Sequence, residues 1–409
     1  MAHSKDTTIA FAFDIDGVLM KGVKPIPGAR ETIQKLQDLK IPFIFLTNGG
    51  GLTEEAHVAK LGQRLDLTFD KRLFVQSHTP YHDRVAEYAD KTVLVLGGHG
   101  QQIRDLAHAY GFNKVVTPSD FFQEFEHIHP FPEMTRAYHL EHGRRHKAPL
   151  RDTKIAAIFV WSSPRDWMLD MQLVIDLLLS RGGYMGTRSS KNGDASLPNY
   201  GFQQDDQPKL FFCNPDFEWA TQHEQPRFAQ GAFREALCGL WAHATRNKAK
   251  MQYSVVGKPT EATYIYAEGT LRDYHSATHG TGSDNDNPER RIGRVYMIGD
   301  NPESDIVGAN SYESRCGFEW RSVLVETGVH VAGTVPIHTP NHTVRDVREA
   351  VEWALAGGEC GSNVNGEGED REDGATDGSR SSVNGDVSGR SSSSNLSAVG
   401  TSDTSNVSD

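Results

Sequence analysis

Cysteine is scarce in this chain. Four cysteines stand among 409 residues, at 213, 238, 316 and 360, and no two are spaced as CxxC. That spacing excludes a disulfide framework and a structural zinc site, and it points to a reducing compartment. Long apolar runs are missing as well: no stretch approaches the ~18–20 residues that span a bilayer as a helix. The opening residues, MAHSKDTTIA, hold neither the apolar centre of a signal peptide nor an Arg-rich amphipathic stretch. The expectation is therefore a cytoplasmic protein, with the mitochondrion as the alternative. Positive charge is also short. The formal net charge is −12, of which −7 comes from residues 357–409 with their ten acids and three arginines. The mild −5 left for the rest argues against a nucleic-acid-binding face. Large apolar side chains almost vanish from the same terminal stretch. Such a segment cannot bury enough surface to offset its ordering entropy, which predicts a disordered Gly/Ser/Asp-rich tail over 357–409. The tail explains the low apolar fraction of 37%. No internal repeat is visible.

What is present is an alternation of apolar strands and amphipathic helices. TIAFAF (8–13) and IPFIFLT (41–47) read as buried strands. Between them, a helical stretch follows Pro27, with Ile33, Leu36 and Leu39 on one face. After NGGG, Thr53 is placed to cap a helix whose first turn holds Glu54 and Glu55. A second series begins near residue 92 with KTVLVLGG and QQIRDLAHAYGF, followed by KIAAIFVWS (154–162), DWMLDMQLVIDLLLSRGG and KLFFCNPD (209–216). The His- and Pro-rich segment before residue 154 reads as a long polar excursion with solvent-exposed histidines. The first pattern then returns with YSVVG (253–257), a helix from KPTEATYIYAEGTLRDY, a polar loop over 275–293, the strands RVYMIGD (294–300) and SVLVETG (322–328), and a last helix in VREAVEWALAG. Strands separated by helices predict a parallel sheet covered on both faces.

Polar residues cluster at the ends of four of these strands. Asp14 and Asp16 follow the first, and Thr47, Asn48 and Gly49 close the second. Lys258 follows YSVVG, and Asp300 follows RVYMIG with Asp305 five positions on. Ligands bind beyond the C-terminal strand ends of open parallel sheets. This inventory suits phosphoryl chemistry. Asp14 and Asp300, with a backbone carbonyl near Asp16, form a ligand set for Mg²⁺. Asp14 is placed to attack phosphorus, and Asp16 to protonate the leaving alcohol and later activate water. Thr47 with the amides of Asn48 and Gly49 can hold phosphoryl oxygens, and Lys258 can stabilise the transition-state charge. Asp305 is expected to orient metal waters or Lys258. The run VLVLGGHGQQI (93–103) begins like a dinucleotide fingerprint, but Ile103 occupies the third glycine position, so a plain strand-to-helix turn is the better reading. The histidines of HIHP (127–130) and EHGRRH (141–146) bring no three ligands together in one helix or strand frame.

The pieces DIDGVL (14–19), FLTNGG (45–50), VVGKP (255–259) and GDNPESDI (299–306), in this order, resemble the haloacid-dehalogenase-like (HAD) hydrolase superfamily. The resemblance implies a Rossmann-like parallel-sheet core and Mg²⁺-dependent hydrolysis of a phosphate ester through an aspartyl-phosphate on Asp14. Members that hydrolyse phosphate esters carry the DxD pair, and dehalogenase members lack it. Asp16 therefore favours phosphatase. Thr47 and Lys258 lie 211 residues apart, against 33 between Asp14 and Thr47. The gap places an inserted domain between the second and third motifs; the resemblance implies that it is the α/β cap of type II, and its strand–helix character resembles subclass A. The segment FFCNPDFEWATQHEQPRFAQGAF (211–233) with GKPTEATYIYAE is similar to the cat-eye-syndrome critical region branch in particular. The implied organisation is a core over 1–78 and 216–356, a cap over 79–215 and the tail. Such a cap would favour a small phosphorylated metabolite over a phosphoprotein. Asp216 falls where cap and core should meet, either touching substrate or serving as a hinge acid. Relatives in this branch also suggest a glycerol-based phosphate, a link to glycerophospholipid metabolism and a homodimer through the cap. Two alternatives stand beside the hydrolase: a non-catalytic phosphate-binding module on the same scaffold, and a phosphotransferase.

Overall fold

The computed structural model describes residues 8–279 and 291–358. The expected tail lies, from residue 359 onward, outside the described residues. Strands β1 (Thr8–Phe13), β2 (Met20–Lys21), β3 (Lys24–Pro25), β4 (Phe43–Thr47) and β5 (Phe74–Gln76) come first. They are followed by β6 (Thr92–Leu96), β7 (Lys114–Val116), β8 (Ala157–Val160), β9 (Lys209–Phe212), β10 (Glu218–Trp219), β11 (Arg227–Phe228) and β12 (Ser254–Val255). The series closes with β13 (Ile292–Gly299), β14 (Glu319–Val325) and β15 (His342–Val344). One six-stranded sheet runs β15-β14-β13-β1-β4-β5, and a five-stranded sheet runs β12-β9-β8-β6-β7. All their pairings are parallel, as the alternation of strands and helices predicts. No helix among the described residues is long and apolar enough to cross a membrane.

In the first sheet the strand period of two sorts the core into two halves. Phe11 and Phe13 of β1 pack with Phe43, Phe45, Tyr296 and Ile298 beneath the helices α1 (Ala29–Asp38), α2 (Glu54–Leu65) and Val347–Leu355. Ala10 and Ala12 face the other way, with Ile44, Val295 and Met297, against Tyr264, Ala267 and Leu271 of the helix Glu261–His279. Small residues on β1 let that long helix lie close. The second sheet is buried on both faces in the same manner. Leu94, Ile158 and Phe212 meet the helices Trp167–Leu179 and Gln230–Ala244, while Val93, Phe159 and Phe211 meet Tyr81, Tyr88 and Trp161.

Four features depart from the sequence reading. Leu39 was expected on the buried face of the helix after Pro27, yet it caps the C-terminus of α1 and is 54% exposed. The polar loop expected from 275 does not begin there, because the helix continues to His279. Residues 280–290 lie outside the described residues. Of the histidines expected in solvent, His129 is interior: its Nε2 lies 3.0 Å from Asp166 Oδ2, which it shares with the buried His139 at 3.1 Å. Finally, the inserted segment was expected to end at 215, but the second sheet takes its edge strand from β12, which pairs with Phe211–Phe212 of β9. Phe233, Leu237 and Trp241 of the helix Gln230–Ala244 also pack into that sheet's core. Two residues of strand are too short to show in sequence which sheet they join.

Candidate active site

Register brings the site together. Phe13 pairs with both Ile298 and Phe45, so β1, β13 and β4 end level with one another. The residues just beyond those ends, Asp14, Asp300 and Thr47–Asn48, therefore meet at one edge of the sheet. The chain after β1 turns tightly: the Leu19 and Met20 N–H groups donate to Ile15 O, and Gly17 N–H to Met20 O. Gly17 takes φ +92°, a left-handed conformation that disfavours a side chain. A Cβ there, or on Gly328, would collide with the Asp300 carboxylate. Two bare backbones thus form a cradle around Asp300, whose Oδ2 accepts from Val329 N–H at 2.7 Å.

Lys258 does not reach the site from a strand of the first sheet, as expected, but from the loop after β12. Asn48 holds it there. The Asn48 side chain accepts from Lys258 N–H at 2.7 Å and donates to Lys258 O at 2.9 Å, and Asn214 Nδ2 donates to Asn48 O at 2.8 Å. The Lys258 ammonium, 1% exposed, lies 2.9 Å from Asp14 Oδ1 and 2.6 Å from Asp305 Oδ1. Burial opposes its charge, but the carboxylates of Asp14 and Asp305 outweigh that and hold it firmly protonated. Asp305 sits in a single wide π-type turn, Pro302–Ile306, and its Oδ2 also accepts from Asn301 N–H at 3.0 Å.

The carboxylates outnumber the cation. Burial and the Asp14 charge push Asp16 up to about 7. Burial pushes Asp305 up to about 6 against the pull of Lys258. Burial, then Asp14 and Asp305, drive Asp300 well above the usual carboxylate range. Half-buried Asp216 is pushed by burial up to about 7, against the pull of Lys258. Four core acids facing one lysine are short of positive charge. A divalent cation would supply it, and the donor set fits one: ligand atoms of Asp14, Asp300 and Asp305 all lie within 4.8 Å of one another. Both oxygens of Asp305 are already engaged by Lys258 and Asn301, which leaves Asp14 and Asp300 as the better carboxylate donors. The Asp16 carboxylate is not part of this cluster. It stands next to the loop after β4 instead, where a Cβ on Gly49 would lie 3.7 Å from its Oδ2. In that loop Gly49 N–H donates to Thr47 Oγ1 at 2.9 Å.

A cavity of about 560 Å³ opens over these groups. Asp14, Asp16, Thr47, Asn48, Gly49, Asp216 and Asp300 all line it. So do residues with no visible motif: Lys60 and Arg64 from α2, Arg165, and Trp219 and Phe228 from the β10–β11 hairpin. The only signal for the α2 pair was a four-residue spacing that puts both side chains on one helix face.

A doubly covered parallel sheet with acids at its strand ends, and a second sheet contributing to the cavity above them, defines an α/β enzyme of the inserted-cap type. The profile of haloacid dehalogenase-like hydrolases matches residues 11–113, and that of HAD-hydrolase-like proteins matches residues 255–350. A mitochondrial hydrolase of Saccharomyces cerevisiae is 36% identical over 359 residues, covering 85% of this chain and 95% of the relative. A fusion of cardiolipin synthase (CMP-forming) with a mitochondrial hydrolase, from Schizosaccharomyces pombe, is 34% identical over 349 residues; the match covers 85% of this chain and 53% of the fusion. The p-nitrophenyl phosphatase structure from Archaeoglobus fulgidus superposes with a TM-score of 0.52 at 16% identity, over 85% of this chain and 99% of that one. This chain belongs to the haloacid dehalogenase-like hydrolases.

Proposed function

We propose that this hydrolase is a phosphatase: it cleaves phosphomonoesters of small molecules through a covalent intermediate on Asp14. One observation carries the reading. The Asp14 carboxylate is held 2.9 Å from a buried ammonium, at the floor of a cavity, among more acids than that ammonium can balance. Asp14 and Asp300, with a backbone carbonyl near Asp16, would hold Mg²⁺, which when bound supplies positive charge against the phosphoryl oxygens.

The chain's own groups do the rest. An Asp14 oxygen forms a bond to phosphorus as the bond from phosphorus to the leaving oxygen breaks. Asp16, held near neutral pH by burial, gives its proton to that oxygen and so releases an alcohol. Asp16 then takes a proton from water, whose oxygen attacks phosphorus, frees the Asp14 carboxylate and yields inorganic phosphate. Thr47 and the amides of Asn48 and Gly49 receive phosphoryl oxygens, for which the Gly49 N–H exchanges its bond to Thr47. Lys258, anchored by Asn48 and Asp305, neutralises charge on the transferring group. Asp216 lines the cavity wall, and in this reading it meets the leaving group.

The names of the two fungal relatives support a mitochondrial location and a glycerophospholipid setting. In the proposed organisation the cap runs from about residue 79 and includes β12. Hydrolysis of p-nitrophenyl phosphate by the full chain tests the reading. Turnover should require Mg²⁺, and Asp14→Asn and Lys258→Met should each lower kcat by about 10³-fold or more. Metal-independent turnover, or full activity in Asp14→Asn, overturns it.

A further inference from the structure

The proposed mechanism uses one lysine, yet the cavity wall carries cations that it leaves idle. On α2 the side chains of His57, Lys60, Leu61 and Arg64 form one stripe facing the cavity, at the three- and four-residue spacing of a single helix face. The acids of the same helix are occupied elsewhere. Glu54 accepts from Tyr110 and Thr79, and Glu55 pairs with Lys71 at 3.6 Å. Neither Lys60 nor Arg64 has an ion-pair partner among the described residues, and the one polar contact of Arg64 is a long 3.4 Å bond to Gly22 O. Like charges four apart on a helix repel, and only Arg64, in the last turn, gains from the helix's negative end. Across the cavity stands Arg165, also without an ion pair among the described residues. The other acids on the wall, Asp216 and Glu218, come from the segment after β9.

The position of the pair tells which part of a substrate it meets. Arg64 reaches Gly22 O, in the β2–β3 turn that follows Asp16, and Asp16, Gly22, Lys60 and Arg64 line the same cavity. Asp16 faces the leaving oxygen in the proposed reaction, so these cations share the cavity wall beside the leaving group. From this we infer that the preferred substrate carries a second anionic group on its leaving alcohol, received by Lys60 and Arg64. The inference rests on the phosphatase reading and adds to it the class of leaving group. A carboxylate and a second phosphate share the chemistry that the two cations recognise.

Three compounds of similar size separate the cases as competitors of p-nitrophenyl phosphate hydrolysis by the Mg²⁺-loaded full chain. Glycerol 3-phosphate leaves a neutral alcohol, 3-phosphoglycerate one with a carboxylate, and glycerol 1,3-bisphosphate one with a phosphate. At low salt at least one of the two competitors with a second anionic group should bind about 10-fold tighter than glycerol 3-phosphate, in line with a charge-assisted contact. Whichever does so identifies the anion. The ratio should shrink as salt rises, fall toward one in Arg64→Gln, and drop further in Lys60→Glu. Equal inhibition by all three, or a preference that survives both substitutions, overturns the inference while leaving the phosphatase reading intact. Absence of any p-nitrophenyl phosphate turnover overturns the phosphatase reading and this inference with it.

Discussion

Two groups of buried acids in this molecule differ in how their charge is met. In the inserted segment, Asp120 is enclosed: Arg104 Nη2 lies 2.7 Å away, the N–H groups of Thr117 and Arg144 donate to it, and His146 completes the ring. Asp166 is served by His129, His139 and the Leu169 N–H. Burial pushes it up, but those bonds outweigh burial and hold it well below the ordinary carboxylate range. At the strand ends of the first sheet the balance is reversed, with Asp16, Asp300 and Asp305 all driven upward around a single lysine. A buried acid whose partners are complete is part of the scaffold. Acids left short of positive charge at the floor of a cavity are held ready for something that arrives from outside.

The sharpest way to break the scaffold side of this contrast is Arg104→Met. Arg104 also bonds Val115 O, Thr117 Oγ1 and Gln101 Oε1, so its loss strands Asp120 in the interior. The expected cost is about 3–5 kcal/mol in denaturant unfolding, with Mg²⁺ affinity unchanged. A loss under 1 kcal/mol would show that the pair is incidental.

Asp170 sharpens the contrast from the other direction. It is a buried acid of the inserted segment whose pKa burial raises well above the usual value, with the Asp166 charge adding to the effect. The unfolded chain releases this proton near pH 4 while the folded chain keeps it, so stability falls as pH rises above about 4. Asp170→Asn cannot ionise in either state. It should therefore be more stable than wild type at pH 8, by about 1.4 kcal/mol for each tenfold gain in proton affinity on folding, and should match wild type near pH 3. An unchanged gap between the two pH values would count against a buried, proton-bearing Asp170.

The sequence showed the floor of the site but not its walls. Asp14, Asp16, Thr47, Lys258, Asp300 and Asp305 sit in short ordered motifs at strand ends, and those ends gather at one edge of the first sheet. The doubly buried strands were legible as well: β1 and β4 are almost wholly apolar. Lys60, Arg64 and Arg165 reach the cavity only through tertiary packing, and a lone cation on a helix looks like a solvated one. The two-residue strands β10, β11 and β12 are shorter than any periodicity. His129 and His139 read as loop residues because their shared partner, Asp166, lies 37 and 27 positions away.

Calorimetric titration of Mg²⁺ into the chelator-stripped full chain tests the contrast at its centre. One ion should bind per chain in wild type, and binding should be lost in Asp300→Asn. No binding in wild type, or equal binding in the variant, would mean that the strand-end acids are not completed by a cation.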